Sequence, residues 1–183
     1  GGATPYLIFG LLVIGFGVKA GMFPLHVWLP KAHPVAPSPA SRLLSGIMIK
    51  VGVFGLLQSL IAFYFPVGAW AASSVVLGQV ILWVGLITMA LGVVFALLQS
   101  DIKKLLAYSS VSQIGYIFLG LGLMMILGDK GGVALSGAIY HMINHALFKS
   151  LLFMVAGLVI LRTHERNMFE LGGMAKHLPI TAV

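Results

Sequence analysis

Three lysines sit where an apolar sequence rarely allows a charge. Lys50 lies in Leu43-Leu44-Ser45-Gly46-Ile47-Met48-Ile49-Lys50-Val51-Gly52-Val53-Phe54, seven residues after that run begins and more than a dozen before it ends. A lysine at the centre of a membrane helix costs about 2.5–3.5 kcal/mol on insertion scales. Burial disfavours the charged form of an amine, so a lysine at this depth can serve as a proton carrier. The alternative is a structural lysine neutralised by a neighbouring helix. Lys19 stands beside a helix break at Lys19-Ala20-Gly21-Met22-Phe23-Pro24. It is either a proton acceptor at a cavity lined by unwound backbone or a lysine that ends a short helix at the interface.

Lys149 closes the segment Tyr140-His141-Met142-Ile143-Asn144-His145-Ala146-Leu147-Phe148-Lys149. The i, i+4, i+8 spacing puts His141, His145 and Lys149 on one helix face, drifting by about 40° per step. Two histidines four apart could hold a metal, but the glutamate of the zinc-protease motif is missing and no third ligand is evident. Imidazoles titrate near neutrality and pass protons through water, so a relay is favoured over a structural pair and over a metal site. Asp101, Asp129, Glu165 and Glu170 all fall outside the apolar runs, which excludes a paired-carboxylate site. His26 and His33 flank a proline-rich turn, as interfacial groups or at a cavity mouth, whereas His164 and His177 read as surface residues.

The elements that must position these groups are membrane helices. The chain has 183 residues, 60% hydrophobic and 8% charged, with mean hydropathy +1.07. A soluble domain is about 25% charged, so a soluble enzyme and a disordered chain are both excluded. With no cysteine, the chain can hold no disulfide, zinc-thiolate site or cysteine-ligated cluster. The basic residues lie between apolar runs, as topology signals do, and form no nucleic-acid patch.

Hydropathy predicts one transmembrane domain over 1–183, an all-α bundle with spans at about 6–30 (broken), 42–65, 69–98, 105–127 and 133–161, and another beginning near 178. Gly21 and Pro24 mark the break in the first span. No helix is expected to traverse the stretch from Pro30 to Pro39, with Ser38 or Ser41 capping the next span and Asp101 capping the fourth. Lys31, Arg42, Lys103, Lys104, Arg162, Arg166 and Lys176 fall on alternate connections, against Lys130 alone on the others, which puts the seven in the cytoplasm. The sequence opens Gly1-Gly2-Ala3-Thr4-Pro5, with no evident signal peptide, and stops at Thr181-Ala182-Val183. It is expected to be an excerpt of a longer polytopic protein.

Several blocks carry a resemblance. Lys19 to Pro30, then Ala32-His33-Pro34-Val35-Ala36-Pro37-Ser38-Pro39, resemble the antiporter-like membrane subunits of respiratory complex I, the Mrp-type antiporters and the energy-converting hydrogenases. The block Gln99 to Tyr116, the stretch His141 to Lys149 and Leu171-Gly172-Gly173-Met174 are similar to further blocks of that family, in the same order. Ala32 to Pro39 and Ser45 to Lys50 look most like the hydrogenase-4 or formate hydrogenlyase type. The resemblance implies part of a fold of about fourteen helices with inverted repeats, in the inner (plasma) membrane of a prokaryote. Lys19 falls on the broken-helix lysine, Lys50 on the central relay lysine, and His141, His145 and Lys149 on the bridge between half-channels. The glutamate that would pair with Lys19 belongs to an earlier helix of the family.

The reading that follows is proton translocation in the membrane arm of a redox-driven pump. Its relay is Lys19, Lys50, His141, His145 and Lys149, with His26 and His33 at cavity mouths. It needs no cofactor, metal or redox active site in this chain, and its partners are other membrane and peripheral subunits, the lipid bilayer, and protons or sodium. A Mrp-type sodium/proton antiporter subunit and a non-conducting structural module are the alternatives.

Overall fold

A computed structural model describes residues 3–64 and 73–173, and all regular structure there is helical. Helix α1 (Thr4–Ala20) starts with Pro5 in its first turn, where a missing N–H breaks no bond. It stops at Gly21, whose φ of 76° is left-handed. Gly21 N–H donates to the Val18 carbonyl at 3.2 Å and Met22 N–H to that of Gly17 at 3.0 Å. That pair of bonds is a Schellman closure, which calls for glycine at this position. The connection after it, with a cis Phe23–Pro24 bond, is tied at both sides. Trp28 Nε1 donates to the Val18 carbonyl at 2.7 Å, and Phe23 N–H to Thr88 Oγ1 at 3.2 Å.

Helix enters the proline stretch from both sides but does not traverse it: one helix ends at Val35 and the next begins at Ser38. Helix α2 (Trp28–Val35) contains Pro30, Pro34 and His33. Pro30 lies in its first turn, and Pro34 lacks only a bond in the last, one residue before the end. Ala36 then turns extended, with ψ 141°, because it precedes Pro37. Helix α3 (Ser38–Leu43) likewise takes Pro39 into its first turn. It passes through a π turn, Leu44–Met48, into α4 (Ile49–Tyr64), making one 27-residue helix, Ser38–Tyr64. Neither serine caps it. Pro37 holds the cap position, and the Ser41 hydroxyl donates back to the His33 carbonyl at 3.2 Å.

Helices α5 (Ser74–Leu97), α6 (Ile102–Leu127) and α7 (Gly132–Thr163) follow. Asp101 caps α6, accepting from Lys103 N–H at 2.8 Å and Lys104 N–H at 3.1 Å. Helix α7 runs 32 residues without a break. Four helices among the described residues are long and apolar enough to cross a membrane: Ser38–Tyr64, α5, α6 with its short extension to Lys130, and α7. The expected start of the third span at 69–72, the onset of a further span near 178, Met174, Lys176 and His177 lie outside the described residues.

Helices α5 and α6 pack through glycine. A Cβ at Gly85 would meet Leu119 N at 2.8 Å and the Gly115 carbonyl at 2.9 Å; one at Gly122 would meet Leu82 N at 2.7 Å. Small residues let backbones approach where lipid offers no hydrophobic drive. Helix α1 lies on α4 at Gly52, α2 on α6, and α3 on α7. The core between them is apolar, with Ile49, Val53, Leu56, Ile114, Phe118 and Leu121 buried. One end of the bundle gathers the basic connections. Lys103 Nζ donates to the Ala36 carbonyl at 2.9 Å, Ile102 N–H to Arg166 O at 3.2 Å, and Met168 N–H to Ser100 O at 2.9 Å.

Candidate functional site

The polar groups of α4, α6 and α7 meet inside the bundle. A π turn holds more residues than an α turn. The one at Leu44–Met48 carries Ser45, whose carbonyl accepts from Lys50 Nζ. The Ser45 hydroxyl lies 2.8 Å from that of Ser110 on α6, and both side chains are wholly buried. Ser110 Oγ donates to the Leu106 carbonyl at 3.0 Å, and Ser109 Oγ to the same oxygen at 3.1 Å. From α7, Lys149 Nζ donates to that carbonyl at 3.1 Å and also to Ser109 Oγ. A line of polar contacts therefore runs from Lys50 to the Ser45 carbonyl, and from the hydroxyl of the same serine through Ser110 and the Leu106 carbonyl to Lys149. Lys50 is 7% exposed and Lys149 2%.

The electrostatics of this cluster are one-sided. Asp101, Asp129, Glu165 and Glu170 lie outside the helix bodies that form it. Among the described residues, carbonyl and hydroxyl dipoles receive the two amines. A buried lysine paired with a carboxylate would strand an anion on losing its proton, at a cost of several kcal/mol. An amine held by neutral acceptors strands nothing, so it can load and unload. The two amines are close enough for their charges to act on one another.

His145 is wholly buried, one turn before Lys149 and within electrostatic reach of Lys50, Lys149 and His141. Its ring stacks near His141, with centroids 6.3 Å apart and planes 20° apart, and His141 faces Tyr116 at 5.4 Å. Neither ring nitrogen of His145, nor Nε2 of His141, has a hydrogen-bond partner among the described residues. Among those residues no three His, Cys, Asp or Glu side chains come together as a metal site would need.

Other expected site residues stand apart. Lys19, in the last turn of α1, is exposed. It lines a lateral groove of about 330 Å³ with Leu11, Phe16, Val51 and Gly52. Lys50 opens on a different groove, of about 300 Å³, with Gly46, Ile47, Met142 and Ile143. His26, in the connection carrying Gly21 and Pro24, sits among the rings of Phe23 (5.2 Å), Tyr108 (6.1 Å) and Phe95 (6.3 Å). His33 is fully enclosed, stacked on Phe153 at 4.5 Å and 16°, within electrostatic reach of Lys149 and Lys103.

Sequence reasoning passed over Ser45, Ser109, Ser110 and the Leu106 carbonyl. The available signal was a pair of adjacent serines in an apolar helix, the second four residues after Leu106, where a hydroxyl bonds back to the chain.

A bundle of this kind, with buried amines beside a broken helix, can be compared with known proteins. The family model described as NADH:quinone oxidoreductase/Mrp antiporter, TM, matches residues 2–183. The chain belongs to this family. It is 46% identical to hydrogenase-4 component B of Escherichia coli, over 96% of this chain and 26% of that protein. It is 41% identical to formate hydrogenlyase subunit 3 of the same species, over 93% of this chain and 28% of the relative. A structure of the Mrp complex from Dietzia sp. superposes with a TM-score of 0.85 at 27% identity, covering 97% of this chain and 31% of that one. The chain therefore spans about a quarter to a third of the length of these relatives. It is a multi-pass, all-helical membrane segment of the larger antiporter-like fold.

Proposed function

We propose that this segment carries protons through the membrane arm of a redox-driven complex of the hydrogenase or quinone-reductase kind. Lys50 and Lys149 are the carriers inside the bundle, His145 and His141 extend the path along α7, and Lys19 is the lateral port beside the broken helix. Its partners are the other subunits of that complex, which supply the driving energy as altered electrostatics. The observation that carries the reading is the acid-free link from Lys50 to Lys149, in which each amine meets neutral dipoles and can change charge. Protonating one amine discourages protonation of the other, so the pair can hand charge along in sequence.

The test is proton pumping by the full-length parent in its complex, comparing wild type with Lys50→Ala while electron transfer and assembly are followed in the same vesicles. Loss of pumping with assembly intact supports the relay; unchanged pumping makes Lys50 structural and defeats it. The likeness to the Mrp complex supports a second reading, cation/proton antiport. Sodium-dependent proton movement without a redox substrate would select it.

A further inference from the structure

The link between the two amines contains an overloaded acceptor. Helical geometry points the Ser110 N–H at the Leu106 carbonyl, and the hydroxyls of Ser109 and Ser110 and the Lys149 amine are directed there too. Four donors converge on an oxygen with two lone pairs, so they compete. Next along, the Ser45–Ser110 contact at 2.8 Å can be donated from either side. Both serines are wholly buried, so no bulk solvent decides the direction.

We infer that the Ser45–Ser110 pair is a reversible hydrogen-bond switch that makes the charge states of Lys149 and Lys50 alternate. This rests on the reading that both lysines change protonation. A charged Lys149 is the strongest donor at the Leu106 carbonyl and displaces the Ser110 hydroxyl, which turns to donate to Ser45. The Ser45 proton then turns away from Ser110 into its own helix, beside the turn whose carbonyl receives Lys50, and disfavours a charge there. With Lys149 neutral, Ser110 returns to Leu106 and Ser45 donates to Ser110. The Ser45 lone pairs are then free on the side of its own helix and favour a charged Lys50, which the Ser45 carbonyl already receives. Ser45 and Ser110 are positioning residues, since they act through the lysines. The flip adds to the direct repulsion between the amines and gives it a definite hydrogen-bond geometry.

The experiment uses the full-length parent in its assembled complex in vesicles, reading protons pumped per electron transferred. Threonine and valine at position 110 share a shape and differ by the hydroxyl, so the burden of the extra methyl cancels between them. Ser110→Thr is expected to keep most of the coupling and Ser110→Val to lose it roughly fivefold, the worth of one ordinary hydrogen bond. Ser45→Ala combined with Ser110→Ala should be no worse than either alone, because each breaks the same link. Equal pumping by the Thr and Val variants, or additive losses in the double variant, overturns the switch while Lys50→Ala still abolishes pumping. Normal pumping by both Lys50→Ala and Lys149→Ala overturns the relay, and the switch with it.

Discussion

Helix α6 presents two different seams, one dry and one polar. Towards α5 it offers Ser112, Gly115 and Gly122, which sit against the backbone at Met89, Gly85 and Leu82. Towards α4 and α7 it offers Leu106, Ser109 and Ser110, whose oxygens meet Lys149 and Ser45. Ser112 Oγ donates to the Met89 carbonyl at 2.9 Å and becomes part of a closed backbone contact. Ser110, two positions earlier, bridges towards groups that can change charge. Within the fold, the α5–α6 seam acts as a rigid strut that lets the opposite face carry costly polar groups. The closest backbone packing lies on one side of α6 and the candidate proton-carrying groups on the other.

The largest effect is expected from breaking the strut. A Cβ at Gly115 would lie 2.6 Å from the Gly85 carbonyl and against Met89 N. Backbone cannot rotate away as a side chain can, so Gly115→Leu should exceed the usual overpacking cost of about 1–3 kcal/mol. The full-length parent is then expected to fail to accumulate in membranes. Gly137→Leu is the comparison, since nothing among the described residues lies within 4 Å of its Cβ; equal yields of the two variants would show that the seam is looser than its geometry indicates.

The polar seam should respond in the opposite sense. Lys50→Met removes a charge from the middle of Ser38–Tyr64, and insertion of that helix should improve by about 2.5–3.5 kcal/mol. The measurement is the inserted fraction of the segment in a translocon assay with glycosylation sites on either side. Gain in insertion combined with loss of pumping would mark Lys50 as kept for function at a cost in stability. No gain would mean that the helix already neutralises the charge locally. A smaller change, about 1 kcal/mol, is expected from Asp101→Ala, which removes the cap on Lys103 N–H and Lys104 N–H. It should appear as a lower melting temperature of the parent in detergent.

The same division explains what could be read in advance. Long apolar runs and the alternation of basic connections signalled a helical membrane bundle, because burial in lipid leaves the backbone few alternatives. Gly21 announced the end of α1 through its left-handed cap, and Asp101 the start of α6. The depth of Lys50 and the spacing of His145 and Lys149 pointed to the cluster, since an unmatched amine in an apolar run is costly. The serine link was not legible. It depends on which face of α6 each hydroxyl occupies and on a π turn that moves Ser45 into register, and neither is written in hydropathy. The proline stretch does interrupt the helix, at Ala36-Pro37, but Pro30 and Pro39 are taken into first turns, where a missing N–H breaks no bond, so helix reaches further into the stretch than its composition suggests.

The smallest effect concerns the basic end, where the segment after α7 pairs with the start of α6 through Asp101 and Asn167. Glu165 Oε1 accepts from Asn167 N–H at 2.9 Å and Arg166 N–H at 2.8 Å. Those two bonds, that from Asn167 foremost, hold the carboxyl below its ordinary value. A depressed carboxyl contributes stability that is present above its unfolded pKa and lost as pH falls through the folded one. The turn should therefore stay closed as pH drops past about 4.3, the usual glutamate value, and open only in more acid solution. Hydrogen exchange at Arg166 and Asn167 measures this, with protection in wild type lost below the ordinary carboxylate range and no such pH step in Glu165→Gln. Because Arg166 O also accepts from Ile102 N–H, opening the turn should loosen the first turn of α6 while leaving the glycine seam with α5 protected. Exchange that spread into Gly115 and Gly122 over the same pH range would show that the two faces of α6 are not independent.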